Sequence, residues 1–386
     1  MTASLSARGN AAAALSYYGH LVHDSQNGSK NGYGNQQSYY LKGDAAPGRW
    51  VGHGAERLSL NGPVTESEFK AALTGYDPKT GEKLVQRGGK SHSHSAGWDM
   101  TFSAPKSVSV LWALSEKQDR TSIEAAQEHA TLMAACWLEN NAGWCRRGQG
   151  GVLRERTAGL LMAQFDHETS RDLDPQLHTH SFIFNQAPRK DGTWGAIVSR
   201  DLYKAQKQVD AIYQQHLARE IENLGYQTER GQTGFRVTVI PKYIEKNFSK
   251  RQQAIEAEVQ KQGHTSAKQR ELAALKTRKP KVNMNRQELF KAWKSEAKTL
   301  GFELGKQQIK TVQQTPSYNL THQVPASKPI NIIPSFATNL KQDAARIGYH
   351  LGKVFQLLKQ PSSMPGTRLK LTKKSVRKAL DQEAER

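Results

Sequence analysis

The sequence predicts an α+β domain in which a central antiparallel β-sheet is flanked by helices. Three observations carry that reading. Residues 98–102 (WDMTF) alternate apolar and polar as a strand does, and residues 157–167 and 178–185 are apolar runs of residues that suit a sheet. The ten residues joining the last two, ETSRDLDPQL, carry several charges and an Asp-Pro step, which predicts an antiparallel pair closed by a loop. Long helical patterns at 121–140 and 201–223 supply the flanking layer.

Taken in order, residues 11–22 predict a helix with Asn10 as its N-cap. The Gly-, Asn- and Ser-rich stretch 23–38 then predicts a surface loop. After strand 98–102, Ser103-Ala104-Pro105 predicts a helix start, with Ser103 capping and Pro105 tolerated in the first turn. The helix over 201–223 runs into Gly225, and FRVTVI at 235–240 predicts a short strand. Lys246–Arg278 and Arg286–Leu300 read as exposed basic helices. The expected organisation is one domain over 1–305, a linker over 306–335 (ending in PSYNLTHQVPASKPINIIPS, 316–335) and a basic tail with short helices over 336–386. No internal repeat is visible.

The 386 residues are enough to bury a sizeable core. A mean hydropathy of −0.71, with no apolar run near the ~20 residues a bilayer span requires, excludes an integral membrane protein. The N-terminus is too polar for a secretory signal. Cys136 and Cys145 have neither disulfide-framework nor zinc spacing, so a reducing, cytoplasmic setting is expected. The net charge of +20 is concentrated: from Lys242 onward there are 29 Lys and Arg against 11 Asp and Glu, while the earlier residues hold 26 against 24. A basic block of this kind suits nucleic acid, an anionic membrane surface or a solvated tail.

Three constellations carry chemistry. In His167-Glu-Thr-Ser-Arg-Asp-Leu-Asp-Pro-Gln-Leu-His178-Thr-His180, strand alternation puts His178 and His180 on one face about 7 Å apart. Antiparallel pairing brings His167 to the same place, and three imidazoles suit a metal acting as Lewis acid. The competing reading is a set of polar residues on a solvated sheet face. Tyr17-Tyr18 and Tyr39-Tyr40 are either packing aromatics or phenols able to attack phosphorus once something lowers their pKa. Asp99, mid-strand in GWDMTFSAPKS, is either a local hydrogen-bond acceptor or an orienter or proton acceptor in a site. His92 and His94 lie in a Ser-flanked loop and are set aside. Gly89-Lys90-Ser91 is not a phosphate-binding loop, because the required earlier glycine is Leu84.

These motifs, in this order and spacing, resemble the MobF class of conjugative relaxases in the HUH endonuclease superfamily, from the N-terminus to about Phe302. The resemblance implies a palm-like fold and strand-specific cleavage of single-stranded DNA at a plasmid transfer origin. Tyr17 would attack the scissile phosphate to leave a 5′-phosphotyrosine, and strand transfer would later rejoin the ends. His167, His178 and His180 would hold a divalent ion: the family implies Mg²⁺ or Mn²⁺, while imidazole softness also admits Zn²⁺, Ni²⁺ or Co²⁺. Asp99 would orient a ligating histidine or accept the tyrosine proton. Tyr39 and Tyr40 match the second tyrosine pair, although the 20 residues between the pairs exceed the family's usual few.

Implied partners are hairpin and single-stranded DNA at the origin, relaxosome accessory proteins and a type IV secretion coupling protein, with possible passage into the recipient cell and no membrane insertion. The basic helices at 246–300 would supply phosphate contacts. The 84 residues after Phe302 are too few for the helicase many such relaxases carry, so the chain is expected to be a relaxase alone or a piece of a longer protein. Two rival readings stand beside this one: a three-histidine metallohydrolase acting on nucleic acid, and a DNA-binding initiator module without chemistry.

Overall fold

The computed structural model describes residues 3–9, 11–18, 47–85, 94–231, 234–261, 263, 266–279 and 284–305. Asn10, the loop over 23–38, the second tyrosine pair, His92, the linker over 306–335 and the tail over 336–386 lie outside the described residues.

The chain opens with strand β1 (Ala3–Arg8) and helix α1 (Ala11–Tyr18). Strand β2 (Arg49–Val51) and helices α2 (His53–Arg57) and α3 (Glu66–Leu73) follow. Helix α3 is set by a capping box, in which the Thr65 side chain accepts from Glu68 N–H and the Glu68 side chain accepts from Thr65 N–H. Strand β3 (Gly97–Ser103) leads into α4 (Lys106–Leu114) and α5 (Lys117–Ala142). A small ribbon, β4 (Trp144–Arg147) with β5 (Leu153–Arg156), precedes the central hairpin of β6 (Met162–Thr169) and β7 (Pro175–Phe184). After the short pair β8 (Ala187–Pro188) and β9 (Trp194–Gly195) comes α6 (Ser199–Asn223), ending before Gly225, whose φ of 92° is the left-handed turn expected there. A second ribbon, β10 (Thr228–Gly231) with β11 (Gly234–Val237), precedes α7 (Lys242–Asn247), α8 (Lys250–Lys261), α9 (Ala267–Lys276) and α10 (Arg286–Thr299).

Five strands form the central sheet in the order β1-β3-β7-β6-β2, every neighbouring pair antiparallel. Alternation then sorts the side chains. Trp98, Met100, Phe102, Leu177 and Ile183 join one apolar cluster with α4, α5 and α6. Phe165, Phe182 and Phe184 face the other way and pack with Tyr18 of α1, Phe69 of α3 and Trp50. The sheet is therefore covered on both faces, and its alternation is between two cores rather than between core and water.

Two local expectations need correction. The start of α4 is capped by backbone geometry at Pro105, with no side-chain cap bond, so Ser103 does not cap it. Instead Ser103 ends β3 opposite His178. Helix α10 is not simply exposed and basic: Leu289, Phe290, Trp293 and Ala297 are buried, and the Phe290 and Trp293 rings lie 5.1 and 5.8 Å from Trp112. Its apolar residues recur at helical spacing between the lysines, and that stripe docks while the lysines stay in water. The predicted strand at 235–240 is real but pairs only with β10, outside the central sheet.

Candidate active site

Along β7 the residues that share a face with Phe182 and Phe184 are His180 and His178, and on β6 the residue that follows Phe165 on this face is His167. The same face thus runs from an aromatic core into three imidazoles. His167 stands directly opposite His178 in the ladder, and the register shifts immediately afterwards, between His167 and Thr169. The three ring centroids lie 4.7 to 5.3 Å apart, and one nitrogen from each lies within 4.8 Å of the others. Among the described residues this is the one group of three or more His, Cys, Asp or Glu arranged to hold a metal.

Hydrogen bonds on the far side of the His178 and His180 rings set which nitrogen offers a lone pair. His178 Nδ1 donates to the Gln176 carbonyl at 2.8 Å, leaving Nε2 as the neutral acceptor. Burial, then the neighbouring His180, pulls the His178 pKa down to about 4, so its ring is neutral at pH 7. His180 Nδ1 donates to Asp99, 3.0 Å from both carboxylate oxygens, which places its lone pair on Nε2. His167 Nδ1 lies 3.2 Å from His178 Nε2. Two imidazole nitrogens at the ~2.0–2.1 Å typical of zinc coordination stand about 3.0–3.4 Å apart around one tetrahedral or octahedral ion. The site accordingly fits a divalent metal in donor chemistry, with the His167–His178 pair at ligand spacing and all three donor atoms within 4.8 Å of one another.

Asp99, expected as an acceptor, orienter or proton acceptor, is the hub behind the histidine cluster. It sits on β3 opposite Phe182, 1 % exposed. Besides His180 it accepts from Arg8 at 2.9 Å and from the Thr101 hydroxyl at 3.2 Å, and the Tyr18 hydroxyl helps to stabilise its charge. Burial alone would raise its pKa, but His180, Tyr18 and Arg8 overcome that and hold the carboxyl well below the usual carboxylate range. The sequence reading missed Arg8, Thr101 and Gln176. Arg8 is 91 positions from Asp99, and only the β1–β3 register brings them together, so no local pattern signals it.

Helix α1 rests on the aromatic half of this face through Ala14 and Tyr18, one turn apart. The Tyr18 ring is fully buried, 5.4 Å from Phe165, 5.3 Å from Phe182 and 6.0 Å from His180. Tyr17 is the preceding residue of α1; its side chain lies outside the described residues, as do Tyr39 and Tyr40. No helix among the described residues is long and apolar enough to cross a membrane.

An antiparallel sheet presenting three histidines, backed by a carboxylate and overlaid by a tyrosine-bearing helix, defines a relaxase domain of the MobF class. The chain belongs to the TrwC relaxase family, whose model matches residues 11–300. It is 36 % identical over 284 residues to the multifunctional conjugation protein TraI of Escherichia coli, and 34 % identical to TraI of E. coli K12. These alignments cover 71 % of the chain and 16 % of each relative, so the chain spans about one sixth of the length of the curated relatives it matches.

Among solved structures it resembles the copper-bound conjugative relaxase TrwC in complex with oriT DNA, with a TM-score of 0.66 and 32 % identity over 78 % of this chain and 99 % of that one. A metal-bound TrwC–oriT complex aligns with a TM-score of 0.66 and 29 % identity over the same shares. TrwC with a 27-mer DNA comprising the recognition hairpin and the cleavage site aligns with a TM-score of 0.65 and 28 % identity, again over 78 % and 99 %.

Proposed function

We propose that this chain is a conjugative relaxase that cleaves one DNA strand at a transfer origin through Tyr17 and later rejoins it. The observation that carries the reading is the convergence of His167, His178 and His180 beneath the helix that bears Tyr17 and Tyr18. In the forward step the Tyr17 oxygen bonds to phosphorus, the bond from phosphorus to the 3′ oxygen breaks, and the phenol proton is balanced by the one the leaving hydroxyl takes up. A divalent ion held by the three histidines supplies Lewis-acid polarisation of the phosphate and stabilises its added charge.

The chain's own groups have separable tasks. Asp99 orients His180 by accepting from Nδ1, a role that its many donors and depressed pKa favour over that of a proton acceptor. Tyr18 fills the aromatic core and braces Asp99 through its hydroxyl. Tyr39 and Tyr40 are assigned to the second, strand-joining step on their motif alone. The ion is assigned as Mg²⁺ or Mn²⁺ from the family, with Zn²⁺, Ni²⁺ or Co²⁺ suited to the all-imidazole donor set.

The catalytic unit is assigned to residues 1–305, with 306–335 as linker and 336–386 as a basic tail. Accessory relaxosome proteins and a secretion coupling protein are the expected protein partners, in the bacterial cytoplasm, with passage to the recipient on the transferred strand. Incubation with labelled single-stranded origin DNA and Mn²⁺ or Mg²⁺ tests the reading. A denaturation-resistant adduct supports it; nicking without an adduct points to a metallohydrolase, and neither product points to a binding module.

A further inference from the structure

The hairpin that carries all three histidines changes register just beyond them, and its ladder resumes only at the Thr169–Pro175 pair. After the His167–His178 pair the register shifts, and the tip over 170–174 includes Leu173 at φ 59°, a left-handed conformation that is uncommon for a residue with a branched side chain. The tip holds itself through Ser170, whose amide donates to the Asp174 carbonyl at 2.9 Å and whose carbonyl accepts from Leu173 N–H at 3.1 Å. Further contacts to the residue next to His167 and to the tip come from α10, more than 100 residues later in the chain.

Arg286, the first residue of α10, donates through Nε to Glu168 at 3.0 Å and through a terminal nitrogen to the other Glu168 oxygen at 2.6 Å. That terminal nitrogen also reaches Glu124 of α5 at 2.7 Å. Trp293, seven residues on, donates through Nε1 to the Leu173 carbonyl at 2.8 Å. Seven residues are two helical turns, about 10.5 Å along the axis, so one helix face touches both shoulders of the bulged tip. Phe290 lies between them on the same face, 5.4 Å from Trp293 and 5.5 Å from the Arg286 guanidinium, with Arg120 stacked on it at 3.3 Å. The result is a rigid splint laid across the open end of the hairpin, with one end on the residue next to His167.

We infer that Arg286 and Trp293 are positioning residues for the metal site, holding His167 in register with His178 across the bulge. The inference rests on the reading that the three histidines bind a divalent ion. It also gives α10 a task other than gripping DNA phosphates.

The test uses the full chain and two single variants that keep most of the packing, Trp293→Phe and Arg286→Gln, with Arg286→Lys as the conservative partner. Mn²⁺ affinity is measured by titration, the ligand field of the Co²⁺-loaded chain by visible absorption, folding by circular dichroism, and binding to single-stranded origin DNA in EDTA. Both variants should fold and bind DNA as the wild type does, yet bind Mn²⁺ about tenfold or more weakly, the scale seen when groups supporting a metal ligand are lost. The Co²⁺ spectrum should shift, and Arg286→Lys should recover part of the affinity. Wild-type Mn²⁺ affinity and an unchanged Co²⁺ spectrum in both folded variants would overturn the inference. Failure of the wild-type chain to bind Mn²⁺ more tightly than His167→Ala would instead overturn the metal reading beneath it.

Discussion

His180 Nδ1 lies 3.0 Å from both carboxylate oxygens of Asp99, so the carboxylate fixes the tautomer of a ring whose other nitrogen faces the histidine cluster. This pairing links β3 to β7 at the centre of the sheet and makes the proposed metal site depend on a residue outside the three histidines. Replacing Asp99 by Asn keeps the shape and removes the charge. Asp99→Asn should lower Mn²⁺ affinity about 10- to 100-fold, as measured by titration, with the secondary structure preserved. Unchanged affinity would contradict the orienting role.

Tyr18 tests the division of labour within the tyrosine pair. Its ring is wholly buried among Phe69, Phe165 and Phe182. Tyr18→Ala should cost ~3–5 kcal/mol of stability in urea denaturation, the range for emptying a large aromatic site. Tyr18→Phe keeps the ring and removes only the hydroxyl that interacts with Asp99, at ~1 kcal/mol. Equal losses for the two substitutions would show that the ring does not hold α1 to the sheet.

The three histidines were legible in the sequence because strand alternation and a single antiparallel turn bring His167, His178 and His180 together. Asp99 was legible as a candidate but not as the partner of His180, since that depends on the β3–β7 register across 81 positions. Arg8 was invisible for the same reason. Helix α10 misled through its charge: KAWKSEAK reads as a solvated face, while Phe290 and Trp293 one turn apart carry the packing. The cap of α4 misled because Ser103, two residues before Pro105, still belongs to β3, while Pro105 itself takes the N-cap position and Ala104 before it is biased away from helix.

Lys106 offers a stability test away from the histidines. Its ammonium group donates to the Pro175 carbonyl at 2.8 Å. Burial pushes its pKa down to about 8 from the ordinary 10.5, against the pull of Asp174 and Glu245. Between those values the unfolded chain binds more protons at this position than the folded one, so folding becomes more favourable as pH rises. The stability of wild type relative to Lys106→Met should therefore grow from about pH 8 to about 10.5 in paired denaturation curves. A flat difference would show that Lys106 is not held in a desolvating environment.

The boundary of the catalytic unit is tested by truncation. Deleting residues 306–386 should leave cleavage of a short single-stranded origin oligonucleotide within about twofold of the full chain, because the described elements that build and brace the site end at Phe302 and Leu304. Loss of cleavage in a folded truncation would place part of the tail in the active unit.

The central claim is that Tyr17 is the nucleophile over a three-histidine metal site. Its most direct test is the covalent adduct itself: labelled single-stranded origin DNA, Mn²⁺ and the full chain, resolved under denaturing conditions and mapped by mass spectrometry of the linked peptide. The account predicts a DNA-linked peptide modified at Tyr17, absent in Tyr17→Phe and in metal-chelated samples. Cleavage that persists undiminished in Tyr17→Phe, with no residue linked to DNA, would contradict it.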